Sequence, residues 1–206
     1  MRTKARRVVV IVFDEVELLD VAAPLEVLST AGRSWNFRPY KVEVVAKAPG
    51  LIATRNQLRI EASVRLADAA PAEIVIVPGG YGARRFAEDA ACVAELSRLA
   101  TGAELVAGIG SGVLALVRAG LVGSAKIAAS PELASALEGH VAPEQLDAVA
   151  QIVDSGQVLS ARASGSALQL GLALVQRTMG PKLVAMVTAD LGLELEPEKP
   201  RLEVRY

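Results

Sequence analysis

The chain has one cysteine and one histidine among its 206 residues, Cys92 and His140. A single thiol excludes an intramolecular disulfide and suits a reducing compartment. One residue of each kind leaves no cluster with metal-ligand spacing and no local Cys–His pair for nucleophilic catalysis. Neither metal nor cofactor is expected. Aromatic residues make up only 3 %, and Trp35, Tyr40 and Phe86 are each open to a place in the core or in a lid. An excess of one charge is missing too: the net charge is −1 with no one-sign block, so no nucleic-acid surface or polybasic membrane patch is indicated. No apolar run approaches the ~18 residues of a membrane span. The basic start at 1–7 leads into a short apolar stretch, 8–13, that Asp14 ends with no small-residue cleavage site after it. That is the pattern of a first core strand rather than a signal peptide. Together these absences point to a soluble cytoplasmic protein with no membrane or direct nucleic-acid partner.

What the chain does have is apolar residues, 52 % of the total. A chain of this length suits one domain, 1–206, able to bury roughly 70 % of its unfolded surface. Continuous apolar runs fall at 8–13, 42–46, 74–77, 105–107 and 158–160. Runs without alternation suit strands buried on both faces of a parallel sheet. Helical patterns lie between them at 20–32, 84–100, 112–121, 165–179 and 182–191, with Pro24 in an early turn and Gly32 and Gly180 as stops. Hairpin signals stand at Arg55-Asn56-Gln57 and Asp154-Ser155-Gly156. The alternation predicts a three-layer α/β/α sandwich with a mostly parallel sheet, its core at about 7–192. The tail at 193–206 is read as a terminal strand or a loose arm.

The segment Gly108-Ile109-Gly110-Ser111-Gly112 joins a buried strand to an apolar helix. That is the layout of a nucleophile elbow, a sharp turn that lifts one side chain above the sheet. The central position, where Ser or Cys would sit, is Gly110. The run lacks the spacing of a dinucleotide-binding loop. Ligands of open α/β sheets bind outside the carboxyl ends of the strands, where two other segments should join the elbow. One is Val77-Pro78-Gly79-Gly80-Tyr81-Gly82; the other is the acidic run Asp14-Glu15-Val16-Glu17-Leu18-Leu19-Asp20. The backbone N–H groups of Gly79, Gly80 and Ser111 are candidate donors to an oxyanion or carboxylate. Asp20 is a candidate acid or base, with an N-cap as its alternative role. Ser111 is more simply an N-cap and backbone donor than a nucleophile. Asp14, Glu15 and Glu17 are read as solvated loop acids, and Cys92 as a packed hydrophobe.

Taken together, these segments resemble the ThiJ/PfpI superfamily with its class I glutamine amidotransferase-like, flavodoxin-like fold. The residues that carry the resemblance are the strand at 10–13 with Leu19-Asp20-Val21-Ala22-Ala23-Pro24-Leu25-Glu26-Val27, the turn Pro78-Gly79-Gly80, Ala119-Gly120-Leu121-Val122, and the late strand and helix from 158 to 174. The branch most similar is that of isonitrile hydratases and the ligand-sensing halves of AraC-type regulators. The resemblance implies that the family's reactive cysteine falls at Gly110, the residue after it at Ser111, a histidine at Ser130, a late-helix acid at Gln169, and the retained carboxylate at Asp20. It also implies a homodimer. The expectation is a small-molecule binder, in a sensor or regulatory role, whose pocket includes Asp20, Gly79, Gly80, Ser111 and Ser130. The alternative is a divergent hydratase or hydrolase in which Asp20 activates water; a scaffold with a vestigial pocket is a third. About fifteen residues follow Leu191, too few for a helix-turn-helix pair.

Overall fold

The computed structural model describes residues 5–34 and 39–193. The first half runs β1 (Arg6–Ile11), α1 (Leu18–Ser34), β2 (Tyr40–Ala46), β3 (Gly50–Ala53), β4 (Arg59–Ala62), β5 (Val64–Arg65), β6 (Ile74–Val77), α2 (Gly82–Glu88) and α3 (Ala90–Leu99). The second half runs β7 (Leu105–Ile109), α4 (Gly112–Arg118), β8 (Ile127–Ala128), α5 (Pro131–Ala136), β9 (Leu146–Asp147), β10 (Ile152–Ser155), β11 (Val158–Ala161), α6 (Ala167–Met179) and α7 (Pro181–Asp190).

Seven strands form one sheet in the order β10-β11-β7-β6-β1-β2-β5. Every pairing in it is parallel except β10 with β11. The central run β2-β1-β6-β7-β11 is the 2-1-3-4-5 order of flavodoxin-like folds. Val8 and Val10 of β1 join the apolar layer built with Val27, Leu170, Leu174 and Leu183 of α1, α6 and α7. Val9 and Ile11 point the other way, into a layer with Leu96, Leu99, Leu116 and Leu133 of α3, α4 and α5. Both faces of the sheet are thus covered, the reason its strands read as unbroken apolar runs. The three-layer sandwich predicted from the alternation is the observed architecture.

Both hairpin signals are hairpins, β3 with β4 and β10 with β11. Several boundaries differ from expectation. α1 starts at Leu18 and runs through Gly32 to Ser34, so Gly32 is no stop and Pro24 lies inside the helix. The 84–100 pattern is two helices. Asp89 is extended (φ −81°, ψ 102°), and its carboxylate accepts the N–H groups of Ala91 and Cys92, capping α3. The elbow helix ends early, at Arg118. Tyr40 and Phe86 are core residues: the Tyr40 hydroxyl meets Thr178 Oγ1 at 2.5 Å, and the Phe86 ring lies 5.5 Å from Phe13. Trp35 and the tail at 194–206 lie outside the described residues. Among those described, no helix is long and apolar enough to cross a membrane.

Candidate functional site at the strand-to-helix elbow

β1, β6 and β7 are adjacent and parallel, so their carboxyl ends open on one edge of the sheet. The chain order reverses between β1 and β6, the switch point at which such sheets hold ligands. Gly110 forms the apex of the turn after β7, at φ +49°. A Cβ placed there would meet nothing within 4 Å. Two residues on, the space is gone: a Cβ on Gly112 would run into the Val77 carbonyl and lie 2.6 Å from that of Pro78. The small residues of the elbow therefore serve two needs, a left-handed backbone at the apex and contact with the neighbouring turn.

Asp20 belongs to the first turn of α1 and is 1 % exposed. It caps nothing. Its Oδ2 accepts the Gly79 N–H at 2.8 Å, while Oδ1 has no hydrogen-bond partner among the described residues. Burial raises its pKa from 3.8 to about 6, with the Glu17 charge adding to the rise; the neighbouring Ser164 hydroxyl and the Gly79 N–H pull it back. The Ser164 hydroxyl is close enough to act on the charge, yet Oδ1 still lacks a hydrogen bond of good geometry.

Ser111 precedes α4 without capping it. Its Oγ reaches across to the facing turn, donating to the Gly80 carbonyl at 3.0 Å and accepting the Gly80 N–H at 3.1 Å. Two of the three expected backbone donors are thereby engaged within the protein: Gly79 by Asp20, and Gly80 by Ser111. Asp20, Gly79, Gly80 and Ser111 form one hydrogen-bonded cluster beside Gly110. Ser130 stands apart, its Oγ accepting the Leu133 N–H at 3.3 Å to cap α5, and no hydrogen bond joins it to that cluster among the described residues. Gln169 is half-buried in α6.

The loop acids are not loose. Asp14 Oδ1 accepts the Ala53 N–H at 3.1 Å, Glu15 pairs with Arg85 at 2.6 Å, and Glu17 pairs with Arg55 at 3.2 Å. Arg55, Tyr81 and Ser164 border the site without having stood out in the sequence. Tyr81 had a signal, its place directly after Gly79-Gly80; Arg55 and Ser164 come from a hairpin tip and a short turn that only the fold brings here. Cys92 is buried in α3, and burial together with the Asp89 charge pushes its thiol up to about 11. His140 is exposed in a loop. No group of three metal-ligating side chains occurs among the described residues. A surface hollow of about 340 Å³, lined by Ala87, Glu88, Val93 and Arg118 among others, shares no lining residue with the elbow.

A flavodoxin-like sandwich with a strand-to-helix elbow packed against a buried carboxylate defines the class of protein. The chain belongs to the DJ-1/PfpI family, whose model matches residues 6–177. Solved structures with the same fold include a ThiJ/PfpI family protein from Pseudomonas syringae, at 19 % identity and a TM-score of 0.82 over 96 % of this chain and 78 % of that one. Drosophila melanogaster DJ-1beta matches at 22 % identity and 0.80, over 93 % of this chain and all (100 %) of its own. Oxidized Toxoplasma gondii DJ-1 matches at 19 % and 0.78, over 93 % and 100 %. No curated protein is similar enough to the chain to serve as a relative.

Proposed function

We propose that this DJ-1/PfpI protein binds a small polar metabolite at the elbow, in a sensor or regulatory role, without a covalent cysteine step. The observation that carries this reading is Gly110: the apex has the backbone of a nucleophile position and open space above it, but no side chain. The only cysteine is Cys92, buried in α3 with its thiol held far from ionisation. Beside the apex, Asp20 Oδ1 is a buried polar atom without a hydrogen-bond partner among the described residues, which a ligand or an ordered water would complete. Resemblance to the sensor halves of AraC-type regulators supports the regulatory role, the family resemblance supports a homodimer, and the single cysteine suits a reducing compartment such as the cytoplasm.

A second reading is favoured by Asp20 alone. A carboxyl group with a pKa of about 6 is suited to taking a proton from water, as a divergent hydratase of the isonitrile hydratase type would require. The test is turnover of an isonitrile and of methylglyoxal by the natural protein and by Gly110→Cys. An inactive natural protein and an active variant support binding at a site that has left cysteine chemistry. Turnover by the natural protein that Asp20→Asn abolishes supports the hydratase instead.

A further inference from the structure

The glycine turn and the elbow each send out one helix, and the two helices end at one hollow. α2 leaves the turn at Gly82 and closes on Glu88; α4 leaves the elbow at Gly112 and closes on Arg118. The two pack against each other. Both are seven residues long, so their far ends stand about 10 Å from the elbow. There Ala87, Glu88, Ala90, Val93 and Arg118 line the hollow of about 340 Å³, a volume at the lower end of the range for small-molecule sites. Its walls are fixed. Ser97 Oγ lies 3.2 Å from the Val93 carbonyl and 3.1 Å from that of Ala119, pinning α3 to the end of α4. Asp89 holds the first N–H groups of α3 and meets Lys47 at 2.5 Å, so its carboxylate is already engaged. Glu88 and Arg118 are not engaged. Both are exposed, and neither has an ion pair or a side-chain hydrogen bond among the described residues, not even with the other.

We propose that this hollow is a second ligand site, and that it takes a free α-amino acid with a short apolar side chain. Opposite charges that share one hollow without pairing present two poles to a ligand. A zwitterion satisfies both at once. Its carboxylate can take two parallel N–H bonds from the Arg118 guanidinium, and its ammonium can donate to Glu88. A simple anion would be repelled by Glu88 and a simple cation by Arg118. The rest of the lining is apolar: Ala87, Ala90 and the half-buried Val93 offer methyl groups to a side chain. Because both poles are exposed, water and salt weaken each contact, and the affinity should be on the order of 1 mM.

The experiment follows backbone amide chemical shifts of the intact protein on titration with L-leucine and two analogues. L-Leucinamide lacks the carboxylate, and 4-methylpentanoate lacks the ammonium. Leucine should move the amides of Ala90, Val93 and Arg118, and each analogue should bind at least about fivefold more weakly, the worth of one exposed ion pair. Arg118→Gln should weaken leucine by about the same factor without weakening leucinamide. Glu88→Gln should weaken leucine without weakening 4-methylpentanoate. Both side chains are exposed, so neither variant threatens the fold. No shift at about 50 mM leucine, equal binding of leucine and either analogue, or no loss in either variant overturns the proposal. Asp20→Asn keeps the two sites apart and should leave leucine binding at the hollow unchanged. Shifts confined to Gly79, Gly80 and Ser111 that Asp20→Asn abolishes would make leucine an elbow ligand. The metabolite reading of the elbow then stands, and the second site falls.

Discussion

Asp20 Oδ2 accepts the Gly79 N–H at 2.8 Å, tying the first turn of α1 to the turn after β6, whereas Oδ1 of the same buried carboxyl group has no hydrogen-bond partner among the described residues. A half-satisfied buried carboxylate is costly as an anion and tolerable as an acid. The pKa rises from 3.8 to about 6 accordingly. Folding then favours the protonated form, so Asp20 contributes stability below its unfolded pKa and loses it as the pH climbs through about 6. Relative to Asp20→Asn, the natural protein should lose on the order of 2 kcal/mol between about pH 4 and about pH 8. Urea denaturation of both proteins across that range checks this. A difference between them that stays constant with pH would remove burial as the cause.

The sheet was legible because its strands are covered on both faces, which leaves runs such as Ile74–Val77 without a polar residue to confuse the pattern. The elbow was legible because close backbone contact demands small residues at fixed spacing, as Gly112 shows against the Val77 and Pro78 carbonyls. Asp89 was not. A single polar residue within an apolar stripe does not announce that its carboxylate will end one helix and start the next. The engagement of the Gly79 and Gly80 N–H groups was equally hidden, because each depends on a side chain from a different element, Asp20 at 59 residues' separation and Ser111 at 31. Local pattern places elements; it does not report which long-range partner a donor will take. Arg55 is the extreme case, an ordinary hairpin-tip arginine until the fold sets it over Tyr81.

Two glycines of the elbow should respond differently to alanine. Gly110→Ala adds a methyl group into open space and retains only the strain of a left-handed backbone, about 1–2 kcal/mol. Gly112→Ala drives a Cβ into the Val77 carbonyl, where backbone must shift, and should cost more than about 3 kcal/mol or prevent folding. Denaturant midpoints of the two variants test the contrast. Equal losses would mean that the space above Gly110 is not open.

Cys92 should be inert in the native state. Its thiol is buried and pushed up to about 11, so the thiolate that reacts with alkylating agents is scarce. Alkylation by iodoacetamide at mildly alkaline pH should run on the order of a hundredfold slower in the folded protein than in urea, following the thiolate fraction. Labelling at the unfolded rate would show that α3 opens readily, and would return Cys92 to consideration as a reactive group.

Ser111→Ala tests whether the two turns are held together by that hydroxyl. The Ser111 Oγ is both acceptor for the Gly80 N–H and donor to the Gly80 carbonyl, so its removal leaves two half-buried backbone groups without their partner. The loss should be about 1–2 kcal/mol, the usual cost of orphaning such groups. It should also be local. The Gly79 N–H keeps its bond to Asp20, so amide exchange should accelerate at Gly80 and stay slow at Gly79. Because Tyr81 follows Gly80 and carries the Arg55 guanidinium, the loosened turn should blur that platform as well. If Gly80 exchanges no faster in the variant, the hydroxyl bridge is not what positions the turn, and the Val16–Gly80 bridge on its opposite side must be.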